Sequence, residues 1–129
     1  MSFDWKDYLE LARQLGESSP DEALYEACLR SAISRAYYAV FMIARTHLEE
    51  NESFTPDSKR SVHQQVWRRF QSNTDDNRQK IKEDGERLKK DRAKADYQRD
   101  YRSQYGAIAK DVTLDILTAE EVIASIESL

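Results

Sequence analysis

Apolar residues are sparse along this chain and concentrate in one run, residues 23–48. There Leu24, Ala27/Cys28, Ala32, Ala36, Ala39/Val40, Ile43 and His47/Leu48 recur every three to five positions. That spacing fits the helical period rather than the alternation of a strand, so the run predicts a central helix reaching about residue 50. Ser19, Pro20 and Glu22 ahead of it read as N-cap, first helical position and capping-box partner. Upstream, Trp5, Tyr8/Leu9, Ala12 and Leu15 form a stripe over residues 4–15, with Asp4 placed to cap it and Gly16 to end it in the left-handed conformation. Downstream, Thr55-Pro56 starts a third helix through Val62, Val66 and Phe70, with His63 and Trp67 on an adjoining face. From about Asn77 a fourth helix shows only Ile81 and Leu88 before Ala93 and Ala95, and is expected to be the most exposed. Ile108, Val112, Ile116, Ala119, Val122/Ile123 and Ile126 define a C-terminal helix. Tyr97, Tyr101 and Tyr105 continue its stripe backwards, so either that helix begins near Tyr97 or an irregular segment there packs on the core. The expectation is an all-α, antiparallel up-and-down bundle of about five helices, forming a single domain over residues 1–129.

Composition agrees with few, long helices, since 129 residues include only three Gly and two Pro. A chain of this length buries a core without disulfides or metal. The single Cys28 has no internal partner, which points to a reducing compartment. No basic start followed by an apolar run opens the chain, and the central helix carries Arg30, Arg35 and Arg45, so neither a signal peptide nor a membrane span is supported. A cytoplasmic protein without membrane partners is expected. Net charge is −4, yet residues 78–102 hold ten Lys/Arg against six Asp/Glu, making that segment +4 and the remainder −8. A basic segment on an acidic body suits a phosphate-binding face; the plainer reading is a solvated helix laced with opposite charges.

Few residues can carry chemistry. Cys28 sits in an apolar helical run, as a structural thiol does. His47 and His63 have no partners at metal-ligand spacing, and the chain has no phosphate-cradling glycine loop and no Gly-x-Ser-x-Gly, so no metal or other cofactor is expected. More informative are the polar insertions in the central helix, where Ser31, Ser34, Arg35 and Tyr38 share one sector. A charge near the core needs a partner or an opening, so Arg35 either snorkels to the surface or pairs with an acid. Asp96, at the junction between the charged helix and the apolar one after it, is a candidate partner or else a cap for the next helix.

Ser31-Ala32-Ile33-Ser34-Arg35-Ala36-Tyr37-Tyr38-Ala39-Val40-Phe41, then His63-Gln64-Gln65-Val66 with Phe70, then Arg92-Ala93-Lys94-Ala95-Asp96-Tyr97 together resemble a HEPN domain. The likeness is to the prokaryotic subgroup marked by an Arg-Ala-Tyr-Tyr-Ala helix and a later Arg-x-x-Ala-Asp-Tyr element, and it spans about residues 4–127. The resemblance implies a helical bundle that forms a homodimer. It also implies association with RNA or a nucleotide, or with a minimal nucleotidyltransferase partner, in a toxin-antitoxin or defence system. Arg35, Tyr38, His63, Arg92, Asp96 and Tyr97 are then the expected binding residues. Catalytic members of the family carry Arg followed four to six residues later by His. That element is missing here: the last histidine is His63, and Arg60 stands only three positions before it. Metal-independent RNA cleavage needs a group to take the 2′-hydroxyl proton and a cation to stabilise the phosphorane. Arg92 supplies a cation, but Asp96 accepts protons weakly and repels phosphate. Three functions therefore stand side by side: a HEPN-type binding module, a metal-independent endoribonuclease toxin using Arg92 with a non-standard partner such as Asp96, and a purely structural helical adaptor.

Overall fold

The computed structural model describes residues 2–18, 21–99, 101 and 105–129, with only the backbone described at residues 22, 105 and 106. Five helices follow one another: α1 (Lys6–Glu17), α2 (Glu22–Asn51), α3 (Val62–Arg69), α4 (Asp76–Tyr97) and α5 (Tyr105–Glu127). They form an all-α up-and-down bundle without strands among the described residues. α2 is the spine, packed against α1, α4 and α5. Its middle is buried almost all round through Leu29, Ala32, Ile33, Ala36, Tyr37, Ala39, Val40, Phe41 and Ala44. Small residues at 32, 36, 39 and 44 let three helices approach at once. None of the described helices is long and apolar enough to cross a membrane.

Several local expectations give way to tertiary contacts. Asp21 caps α2, its carboxylate accepting the Leu24 N–H at 3.2 Å; Ser19 and Pro20 lie outside the described residues. Leu24 is exposed rather than part of the stripe, because the first turn of α2 overhangs the core, and Cys28 is only half-buried. α1 starts after Trp5, although the Asp4 carboxylate does accept the Lys6 N–H at 2.9 Å. Gly16 is not a left-handed stop: no glycine has positive φ, and Gly16 lies inside α1, where a Cβ would come within 2.9 Å of Val112 on α5. Close approach, not a turn, accounts for it. α3 begins at Val62 rather than near Pro56, because Ser61 caps it through the Gln64 N–H. The preceding turn is held from inside the helix, where Gln65 accepts the Asp57 N–H and donates to the Asp57 carbonyl, both within 2.9 Å.

At the far end of the bundle Glu52 ties three helices together. Its carboxylate takes both arms of the Arg78 guanidinium at 2.9 and 3.0 Å and accepts from His47 Nε2 at 3.0 Å. Arg78 also donates to the Arg69 carbonyl at the end of α3. The fork beside Glu52 holds its carboxyl below the usual range. Ser53 adopts φ 53°, in the left-handed region, which lets the Phe54 N–H return to the Leu48 carbonyl at 3.2 Å and end α2.

Charged as it is, α4 buries Ile81, Gly85, Leu88 and Ala95. Gly85 is set by Trp67, since a Cβ there would lie 2.4 Å from the indole. Between α4 and α5, Asp115 is 0% exposed and neither of its carboxyl oxygens finds a hydrogen-bond partner among the described residues. Burial and then the neighbouring Asp91 push it up to about 8, with Arg87 pulling the other way.

Two outcomes follow. Gly85→Ala forces the rigid indole aside and lowers unfolding stability by about 1–3 kcal/mol in urea titration, against the small gain of an unhindered helical glycine replacement. Because the Asp115 carboxyl is raised above its unfolded value, the folded state holds the extra proton. Stability is therefore greatest at acid pH on this account and falls as pH rises from about 4 through 8. Asp115→Asn flattens that part of the curve, read as urea midpoints across the range.

Candidate functional site

The two motifs meet where α2 crosses the last turns of α4. Tyr38, three residues past Arg35 on α2, presents its hydroxyl to Arg92, whose Nη2 donates to it at 2.6 Å. Arg92 Nε stands 3.0 Å from Asp96 Oδ2 one turn on, an ion pair without the alignment of a hydrogen bond. Asp96 also accepts from Ser34 Oγ at 3.4 Å. It therefore belongs to the last turn of α4, pairs with Arg92 rather than Arg35, and does not cap α5. Arg35 finds aromatic faces instead of an acid, its guanidinium 5.0 Å from the Tyr8 ring and 5.2 Å from Tyr38. Arg92 covers Tyr38 at 5.2 Å and Tyr97 at 5.6 Å. Ser31 points to solvent and takes no part.

The tyrosines after α4 divide. Tyr97 is 75% exposed, whereas Tyr101 is fully buried and donates to Asp111. The Tyr101 ring thus packs on the core, and α4 ends at Tyr97. The Tyr105 side chain lies outside the described residues. Arg30, which the motifs do not include, secures this corner by donating to the Ala95 carbonyl at 3.0 Å and covering the Tyr101 ring.

His63 joins the cluster through a buried relay. Trp67 Nε1–H donates to the Tyr37 hydroxyl at 3.1 Å, and Tyr37 stands 2.7 Å from His63 Nδ1. Indole nitrogen only donates, so the Tyr37 hydroxyl accepts there; its own proton finds an acceptor in Nδ1 when His63 is the Nε2–H tautomer, the arrangement that satisfies every group of the relay. The His63 ring stacks on Phe41 at 4.0 Å and on Tyr37. Burial, followed by the charges of Arg92, Lys89 and Arg45, lowers its pKa to about 4, and burial raises that of Tyr37. Near neutral pH His63 is an uncharged, oriented ring.

A groove beside this cluster escapes sequence reading. It lies between α3 and α4 with a volume of about 730 Å³. Arg60, Arg68 and Arg69 line it from the α3 side and Lys82, Lys89, Lys90 and Arg92 from α4, against one acid, Glu86. Glu86 pairs with Lys82 at 3.5 Å. Arg69 covers Phe54 and donates to the Glu52 carbonyl, while Arg60, Arg68, Lys89 and Lys90 have no ion-pair partner among the described residues. The sequence signal was half present, in the basic segment of α4. The α3 arginines sit outside that segment and join it only in space. Arg92 is the cation that belongs to both the motif cluster and the groove.

Among the described residues no group of three His, Cys, Asp or Glu is placed to hold a metal ion. Comparison with family models, curated proteins and solved structures finds no match.

The relay makes a direct expectation. In NMR titration His63 shows Nδ1 unprotonated and Nε2 protonated, with a midpoint near pH 4. Because this midpoint lies below the unfolded value, the neutral ring contributes stability above about pH 6.5 that is lost as pH falls toward 4. Tyr37→Phe frees the tautomer and leaves the Trp67 N–H unpaired, lowering stability by roughly 1–3 kcal/mol.

Proposed function

We propose that this chain is a HEPN-type, RNA- or nucleotide-associated binding module acting as a homodimer, within a system that includes a minimal nucleotidyltransferase partner or serves defence. The observation that carries this reading is the Arg92 guanidinium, which joins the Arg-Ala-Tyr-Tyr-Ala segment to the Arg-x-x-Ala-Asp-Tyr segment through Tyr38 and Asp96 while also lining a basic groove. Two separate sequence elements converge on one cation, which supports their reading as a single site.

The same geometry supports binding over cleavage. Arg92 and Asp96, the candidate catalytic pair, are bound to each other. His63, the one histidine in the cluster, has Nδ1 occupied by Tyr37 and a midpoint near 4, which makes it a poor proton acceptor for a 2′-hydroxyl. A dimer would present two copies of each site, and phosphate contacts add along a strand.

Purified protein should sediment as a dimer, retain single-stranded RNA or a nucleotide in a fluorescence-anisotropy titration at low salt, and leave RNA intact in EDTA. Absence of binding to both ligands removes the reading. Cleavage in EDTA that Arg92→Ala abolishes would install the endoribonuclease toxin in its place.

A further inference from the structure

The groove holds four cations, Arg60, Arg68, Lys89 and Lys90, that form no ion pair among the described residues, and its one acid, Glu86, is paired with Lys82. Elsewhere on the surface Lys6 pairs with Glu127, Arg13 with Glu120, Arg45 with Glu49, Arg78 with Glu52 and Lys80 with Asp84, and the cations without an ion pair among the described residues, such as Lys59 and Lys110, do not share a concavity with one another. In a protein of net charge −4, cations left unpaired are expected to scatter toward acids. Here Arg60, Arg68, Lys89 and Lys90 instead converge from two elements on one concavity. Their mutual repulsion is relieved by an anion, and an anion of several charges relieves it best.

The groove's other features narrow the ligand. Its aromatic rings, Trp67 and Phe54, are buried, so no ring within it is open to stack on a base. The open ring is Tyr97, 75% exposed and held against Arg92 at the groove's edge. Charges along a track with a stacking face at its end suit a single strand, whose backbone and bases separate. A duplex hides its base faces, and an acidic peptide has no base to place on Tyr97. α3 spans eight residues, about 12 Å at 1.5 Å per residue, so the track fits a few nucleotides.

We propose that the α3–α4 groove carries the phosphate backbone of single-stranded RNA and that Tyr97 stacks on one base at its Arg92 edge, with little preference for sequence. This deepens the RNA-associated reading and rests on it. The site it names differs from the Arg35 face of the motif cluster.

The test is a salt-dependent anisotropy titration with fluorescein-labelled oligo-U and oligo-A on the full chain. The logarithm of affinity should fall with the logarithm of salt at a slope of about −3, from four contacts at roughly −0.7 each on a single strand. Lys89→Gln/Lys90→Gln and, separately, Arg60→Gln/Arg68→Gln should each cut affinity at least tenfold and bring the slope to about half. Tyr97→Ala should weaken binding about tenfold with the slope unchanged. Circular dichroism confirms that the variants keep their helices, and the two pairs, on different elements, guard against either one failing to fold. RNA binding that survives both pairs but is lost in Arg35→Gln overturns the groove and leaves the RNA-associated reading standing. Duplex RNA or poly-glutamate bound as tightly as oligo-U overturns the single-strand assignment. No binding of wild-type protein to either oligomer overturns the groove proposal and the RNA reading together.

Discussion

The hydrogen bond from Trp67 to the Tyr37 hydroxyl is the contact on which the rest of this structure turns. α3 is eight residues long, too short to persist by its own helical bonds, so its position depends on what it inserts into the bundle. It inserts an indole that is fully buried. A buried indole N–H without an acceptor costs about 1–3 kcal/mol, and the acceptor available is the Tyr37 hydroxyl on α2. The ring itself occupies the space left by the missing Cβ of Gly85. One donor, one acceptor and one absent methyl group thus fix α3 against both α2 and α4. They also orient His63 and fix the width of the groove.

Charge on this molecule is arranged in two regimes. Away from the groove Lys6, Arg13, Arg45, Arg78 and Lys80 each have an acid, and exposed pairs of this kind contribute little to stability individually. Along the α3–α4 groove seven Lys and Arg side chains meet one acid, Glu86. Away from the groove, Asp91 raises and Arg87 lowers the buried carboxyl of Asp115 on α5. α4 therefore carries its excess of cations on the groove side. A helix laced for solubility alone would interleave the two signs around its circumference.

How far the sequence disclosed this depends on the range of the contact concerned. The spine was legible because Ala32, Ala36, Ala39/Val40 and Leu48 carry their burial in their spacing, and the C-terminal helix for the same reason. Gly16 was misread because a glycine after an amphipathic stretch signals a left-handed stop, while the reason for it lies on α5 at Val112, nearly a hundred residues away. Pro56 drew the start of α3 too early, since the true cap, Ser61, is indistinguishable from any loop serine until Gln65 folds back on Asp57. Tyr97 and Tyr101, four residues apart, looked alike; the end of α4 sends one outward and the other into the core. The Arg92–Tyr38 contact was foreshadowed by motif resemblance, but the α3 arginines carried no periodic signal and became a site only when Trp67 brought their helix against α4.

The position of His63 decides how the candidate site can use its charges. A histidine that took a proton from a 2′-hydroxyl would need a free ring nitrogen and a midpoint near neutrality. Tyr37 engages Nδ1, the tautomer that satisfies the relay places a proton on Nε2, and burial beside three cations lowers the midpoint to about 4. Burial is the larger cause of that shift, and Arg92, Lys89 and Arg45 add to it. Strengthening the positive field around the cluster weakens the proton acceptor within it, so its cations and its base cannot both be at full strength.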